Sequence, residues 1–188
     1  MSHRPRYGWV MGTEDVGRRL LLLRHAKSDW PDVADHERPL AKRGRRDAPV
    51  VGHWIATSGY QPDAVVCSTA RRARETWELV AAELASAAAP EVAAPEVRYE
   101  PRVYEASVLS LLMLVRGFDP AWRTVMIVGH NPGLAELTVG LANPDTAEIP
   151  HAFPTAAVAV LGLRGDWAAA APGEAGLLAF VVPAELRS

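Results

Sequence analysis

In the stretch LLLLRHAKSDW, Leu20 to Trp30, four leucines stand in a row with charge on both sides. Such a run reads as a short strand buried on both faces, the pattern of a parallel sheet covered by helices. The strand ends in Arg24-His25. In open α/β sheets the carboxyl ends of the strands are where ligands bind. A guanidinium beside an imidazole at that place suits an anion, most simply a phosphoryl group, with the histidine able to attack it or donate to it.

Outward from this stretch, Ala26 to Pro39 is polar and holds two prolines, and reads as a loop over the strand end. Ala41 to Ser58 has helical spacing in Ala48, Val51, Trp54 and Ile55, with Pro49 marking either a late start or a kink. Asp63 to Cys67 is a second strand by its β-branched run. Ser68 or Thr69 then caps a helix from Ala70 to about Ala85. Ser86 to Glu96 is low in complexity and expected to be exposed. Val97 to Tyr99 reads as a short strand and Val108 to Arg116 as a helix. Thr124 to Val128 is another buried strand, running into Gly129-His130-Asn131-Pro132-Gly133, and Pro132 suits the first turn of a helix to Leu141. Ala157 to Leu163 and Leu177 to Val182 suggest a hairpin. Strands alternating with helices predict a three-layer α/β/α domain around a largely parallel, mixed sheet.

The totals set bounds. The 188 residues suit one domain, expected over 19–188, behind a polar flexible leader over 1–18 in which Met11 is a second candidate start. A formal net charge of -2 supplies no general attraction to nucleic acid or to an anionic membrane, so any anion site must be local. The single cysteine, Cys67, leaves no intrachain disulfide and reads as a small core residue. No apolar run approaches the roughly 20 residues of a membrane span, and no secretory signal pattern is present, so a cytoplasmic location is expected.

Three strands end alike: Leu23 into Arg24-His25, Cys67 into Ser68-Thr69-Ala70-Arg71-Arg72, and Val128 into Gly129-His130. If they are parallel neighbours, two histidines and two or three arginines share one pocket beside two helix N-termini. With Arg24-His25, Ser68-x-x-x-Arg72-Ala73-x-x-Thr76 and Gly129-His130 in this order, the sequence resembles the histidine phosphatase superfamily, also called phosphoglycerate mutase-like. RHAKSDW, Arg38-Pro39-Leu40, Arg43-Gly44, Val128-Gly129-His130-Asn131-Pro132 and Phe153-Pro154-Thr155 are most similar to its small SixA-type branch of phosphohistidine phosphatases. The resemblance runs from about Leu20 to Val182.

That resemblance implies His25 as a nucleophile that forms a phosphohistidine intermediate, with Arg24, Arg72 and His130 on the phosphoryl oxygens. It implies Arg38 as an additional arginine able to reach the phosphate. Neither a cofactor nor a metal is implied, since arginine forks supply fixed bidentate donors to the charge of the transition state. The expected substrate is phosphohistidine on a protein or a small phosphoramidate. Arg71 and Arg74 are expected to be solvated helix charges. Asp29 is expected to shape its loop by pairing with an arginine, and His36 and His151 are candidates for the pocket mouth.

A neutral His25 needs its second nitrogen held by a backbone carbonyl, while His130 is expected to act as an imidazolium. Opposite protonation preferences predict a bell-shaped pH profile with an optimum in the range of roughly 6 to 7.5. Phosphohistidine leaves as imidazole, a good leaving group that needs no dedicated acid. A phosphoester does need one, and Glu105 is the candidate general acid for that alternative. A non-catalytic phosphate-binding regulatory module is the reading from a different class. The intact pair His25 and His130 speaks against it. A metal hydrolase built on His25, His36 and His130 lacks the usual ligand spacing, and a serine hydrolase fails because Asn131 sits where the serine must be.

Overall fold

The computed structural model describes residues 17–89, 92–145 and 152–187. The leader as far as residue 16, and His151, lie outside the described residues. Six strands form one sheet: β1 (Arg18–Arg24), β2 (Ala64–Cys67), β3 (Glu96–Tyr99), β4 (Thr124–Gly129), β5 (Val158–Leu163) and β6 (Gly176–Val181). Their spatial order is β3-β2-β4-β1-β5-β6. The strands β3, β2, β4 and β1 run parallel, and β5 and β6 add an antiparallel edge. Helices α1 (Lys42–Thr57), α2 (Arg71–Ala87), α3 (Val108–Arg116) and α4 (Gly133–Leu141) cover the two faces. The result is the three-layer α/β/α arrangement expected from the sequence.

Residue alternation explains the leucine run. Leu20 and Leu22 join the core under α3 and α4, together with Val125, Ile127, Leu111 and Leu134. Leu21 and Leu23 face the other way, into the core with Met126, Val128, Val51, Ile55 and Trp77 from α1 and α2. A strand between two helix layers needs an apolar residue at every position, and all four leucines are fully buried.

Several local expectations change. β1 begins at Arg18 rather than Leu20, because Arg18 and Arg19 pair with Leu163 and Gly162 of β5. Pro49 neither starts nor ends α1. The helix runs through it, since tertiary packing of Ala48, Val51 and Ile55 outweighs one lost backbone bond. Neither Ser68 nor Thr69 is the N-cap of α2. That position is Ala70, whose N–H donates to Ser68 Oγ at 3.3 Å, and the helix continues to Ala87. Pro132 is the N-cap of α4 rather than a residue of its first turn.

The packing of α1 fixes the loop after β1. Ala41 N–H donates to the Lys27 carbonyl at 2.9 Å, and Gly44 lies against that same carbonyl, where a Cβ would overlap it. The first turn of α1 therefore rests directly on the backbone two residues beyond His25. From the other side, Thr76 of α2 accepts the Ala26 N–H at 3.0 Å and donates to the Arg72 carbonyl at 2.6 Å.

Candidate active site

The sheet register brings the three strand ends together. Leu23 is level with Val128, and Val128 with Cys67, so Arg24-His25, Ser68 and Gly129-His130 leave the sheet side by side. Backbone bonds lock this row: His25 N–H donates to the Gly129 carbonyl and Ser68 N–H to the Val128 carbonyl, each at 2.9 Å. The pocket expected from the sequence thus rests on adjacent parallel strands.

His25 is buried, and its Nδ1–H donates to the Ala26 carbonyl at 2.8 Å. The proton is thereby placed on Nδ1, and Nε2 keeps its lone pair. Burial pushes the imidazole pKa down to about 4; the Ala26 bond opposes this, and the charges of Arg72, Arg24 and Arg38 reinforce it. The His130 ring lies 5.0 Å from His25, centroid to centroid. Burial, then His25 and Arg72, lowers its pKa to about 3. Both lowered values favour neutral rings near pH 7, in contrast to the imidazolium expected for His130 and the bell-shaped profile built on it.

Around the histidines, Arg24 donates from Nη1 to the Phe153 carbonyl at 2.8 Å. Arg72 is buried, and donates to the Asp35 carbonyl at 2.6 Å and to the Asp35 carboxylate at 2.9 Å. Two buried nitrogens, Arg24 Nε and His130 Nδ1, find no hydrogen-bond partner among the described residues. His130 Nε2 lies 2.8 Å from Ser68 Oγ.

Asp35 and Tyr104 are participants the sequence reading missed. The Asp35 carboxylate takes bonds from Arg38 (2.8 Å), the Tyr104 hydroxyl (2.8 Å) and Arg72. Arg38, then Tyr104, hold its pKa well below the ordinary carboxylate range. Tyr104 sets its ring edge-on to His130 at 5.5 Å and to His36 at 5.1 Å. The available signal for Asp35 was its position three residues before Arg38, in a segment read only as a polar loop over the strand end.

Arg38, expected to be able to reach the phosphate, is held by its own loop. Its three nitrogens bond the Asp29 carbonyl, Asp35 and Ser28, and its guanidinium stacks on Trp30 at 3.2 Å from the ring centre. Its link to the pocket runs through Asp35 to Arg72. The expected Asp29–arginine pairing changes accordingly. The Asp29 carbonyl takes Arg38, and its carboxylate accepts the Trp30 N–H.

Arg71 is exposed and pairs with Glu75, as a surface charge would. Arg74 is instead partly buried, with an unpartnered Nε. His36 sits at the rim, its ring nitrogens 2.9 Å from Thr69 Oγ1 and 2.8 Å from Glu37. Glu105 is exposed on the turn after Tyr104, at φ 52°, and bonds none of His25, His130, Arg24 or Arg72. Among the described residues no three His, Cys, Asp or Glu side chains are grouped so as to hold a metal ion.

Known proteins are similar to this chain in sequence and in fold. Residues 20–104 match the family model of the histidine phosphatase superfamily (branch 1). An uncharacterised protein of Mycobacterium tuberculosis is 39% identical over 168 residues, covering 86% of this chain and 99% of the relative. The structure of a candidate SixA phosphohistidine phosphatase from Nakamurella multipartitia superposes with a TM-score of 0.72 at 30% identity, covering 87% of this chain and 95% of that one. The chain belongs to the histidine phosphatase superfamily, in its SixA-type branch. A second SixA candidate, from Agrobacterium tumefaciens, gives a TM-score of 0.73 at 28% identity over 88% of this chain and 98% of that one. Membership makes the chain a phosphatase by class, and a hydrolase. In the same frame, the described residues contain no helix long and apolar enough to cross a membrane.

Proposed function

We propose that this chain is a metal-independent phosphatase in which His25 attacks phosphorus, with phosphohistidine on a protein or a small phosphoramidate as substrate. The observation that carries this reading is a mismatch of hydrogen-bonding groups. At the meeting of three strand ends, His25 Nε2 keeps a lone pair, the His130 ring lies 5.0 Å away, and two buried nitrogens, Arg24 Nε and His130 Nδ1, have no acceptor among the described residues. A phosphoryl group supplies the electrophile to the first and oxygen acceptors to the others.

Ser68 supports a donor role for a neutral His130. Its Oγ already accepts the Ala70 N–H, so its own proton is available to His130 Nε2. With Nε2 accepting, the ring proton sits on Nδ1, the nitrogen without a protein partner. His130 then donates to an equatorial oxygen without being an imidazolium. Arg24 and Arg72 share the remaining charge, and Asp35, tied to Arg38 and Tyr104, aims Arg72.

In the first step the His25 Nε2–phosphorus bond forms as the substrate P–N bond breaks, and the substrate imidazole leaves and takes up a proton from solvent. Water then cleaves the phosphorylated His25 to release phosphate. A leaving group with a pKa near 6.5 needs no dedicated acid. A phosphoester does, and Glu105, exposed and bonded to none of the four central residues, gives that alternative no support.

The test is phosphate release from a phosphohistidine-bearing peptide in excess EDTA, comparing wild type with His25→Ala. Wild type releases phosphate, and the variant falls by at least about a thousandfold. Activity retained by His25→Ala, or abolished by EDTA, overturns the proposal.

A further inference from the structure

Two helices begin beside His25, and both begin against the usual rule. The first turns of α1 and α2 carry Lys42, Arg43 and Arg45, and Arg71, Arg72 and Arg74, with Arg46 just behind; neither turn has an acid, and the N-caps Ala41 and Ala70 offer no side-chain cap. Cations are disfavoured there, because the helix dipole already places partial positive charge at that end. The other two helices keep the rule in part: Ser107 caps α3, and Glu136 lies in the first turn of α4. Among the described helices only α1 and α2 load their first turns with cations, a departure that points to function.

The excess charge is local. Between Arg24 and Arg74 lie ten of the chain's 20 lysines and arginines but six of its 22 acids, in a chain whose formal net charge is -2. The nearest acids are shared: buried Asp47 serves Arg43, Arg46 and Arg187, and Glu75 serves Arg45 and Arg71. Lys27 and Lys42 are exposed and pair with no carboxylate among the described residues.

Beside these cations lies open apolar surface. Trp30 is 74% exposed and Val33 49%. Trp30 is held in place by Arg38 stacked on its ring, and its segment is joined to the start of α1 by the Ser28–Leu40 bridge. A small anion makes no use of Trp30 and Val33. A protein surface with acids around an apolar contact uses both.

We propose that the rim formed by Lys27, Lys42 and Arg46 with Trp30 docks an acidic protein surface that carries the phosphohistidine. This rests on the proposed function and narrows its substrate to a protein. The test uses two phosphohistidine peptides, one flanked by Asp and Glu and one by Ser and Gly, with phosphoramidate as the small substrate. Wild type and Lys42→Glu/Arg46→Glu are compared at low and at physiological salt. At low salt the wild type prefers the acidic peptide by about tenfold in kcat/KM. Salt and the double substitution each remove that preference, and phosphoramidate turnover is unchanged.

Lys42→Glu alone lowers the preference while raising the melting temperature, since glutamate suits a first turn, so a folding defect is separable from lost docking. Equal rates for the two peptides in wild type overturn the proposal. So does an equal loss on phosphoramidate, which would mark a general field for small anions. Binding of the unphosphorylated peptides, followed by fluorescence anisotropy, separates the two readings. If no substrate turns over but the acidic peptide binds through Lys42, docking stands and the reaction assignment fails. Absence of binding removes docking alone.

Discussion

At the scale of single residues, chemistry here depends on which nitrogen of each imidazole carries the proton. For His25 a backbone carbonyl decides it, since Ala26 O accepts from Nδ1–H whatever side chains surround the ring. For His130 one hydroxyl decides it, and Ser68 is fully buried with its geometry fixed by Ala70. With the Ser68 hydroxyl donating to His130 Nε2, as proposed, Ser68→Ala removes that bond. NMR of the imidazole nitrogens will report the Nδ1–H tautomer in wild type and a shift towards Nε2–H in the variant. The value of kcat/KM falls by about tenfold with the melting temperature little changed. A wild-type His130 already in the Nε2–H form would remove Ser68 from this role. The sequence placed Arg24, His25, Arg72 and His130 at strand ends because short motifs mark them. Asp35 was illegible because its importance lies in three partners, Arg38, Arg72 and Tyr104, the last of them 69 residues away.

At the scale of elements, α1 and α2 act as jaws on the turn that carries His25. Gly44 allows α1 to touch the Lys27 carbonyl, and Thr76 of α2 holds the Ala26 N–H. Gly44→Ala tests the first contact. Ala improves helix propensity by about 1 kcal/mol, but its Cβ overlaps backbone that has no flexible end to move, an overpacking cost of about 1–3 kcal/mol. The expected result is a modestly lower melting temperature and a larger loss of kcat/KM, because the displaced backbone leads straight to His25. An unchanged kcat/KM would mean the turn tolerates the shift. Strand and helix order was legible from apolar runs, and α3 was read residue for residue as Val108 to Arg116, the helix that Ser107 caps and Gly117 ends. Pro49 and Ser68 misled for one reason. Local propensity priced them as breaker and cap, while the packing of its neighbours Ala48, Val51 and Ile55 carried the helix through Pro49 and burial set Ser68 against His130.

At the scale of the whole molecule, a reactive pocket set into the core ties stability to proton uptake. His25 and His130 titrate near pH 4 and 3 in the folded protein, against about 6.5 in an unfolded chain. Above pH 6.5 both states hold neutral rings and neither histidine affects folding. As pH falls from 6.5 towards 4, the unfolded chain binds protons that the folded chain refuses, so the folded state loses ground. Each ring removes up to about 1.4 kcal/mol per pH unit in that window, an upper bound on the order of 3 kcal/mol each by pH 4. Low-lying carboxylates such as Asp35 contribute below that window, because their protonation begins near the ordinary value of about 4. Chemical denaturation at a series of pH values measures the slope directly. Wild type should lose stability steadily between pH 6.5 and 4, and His25→Gln/His130→Gln should be nearly flat there. The same pair sets the acid limb of kcat/KM, which should fall near pH 4 rather than near 6.5. An equally steep double variant would assign the acid sensitivity to other groups, and would return the two pocket imidazoles to ordinary solvated values despite their burial.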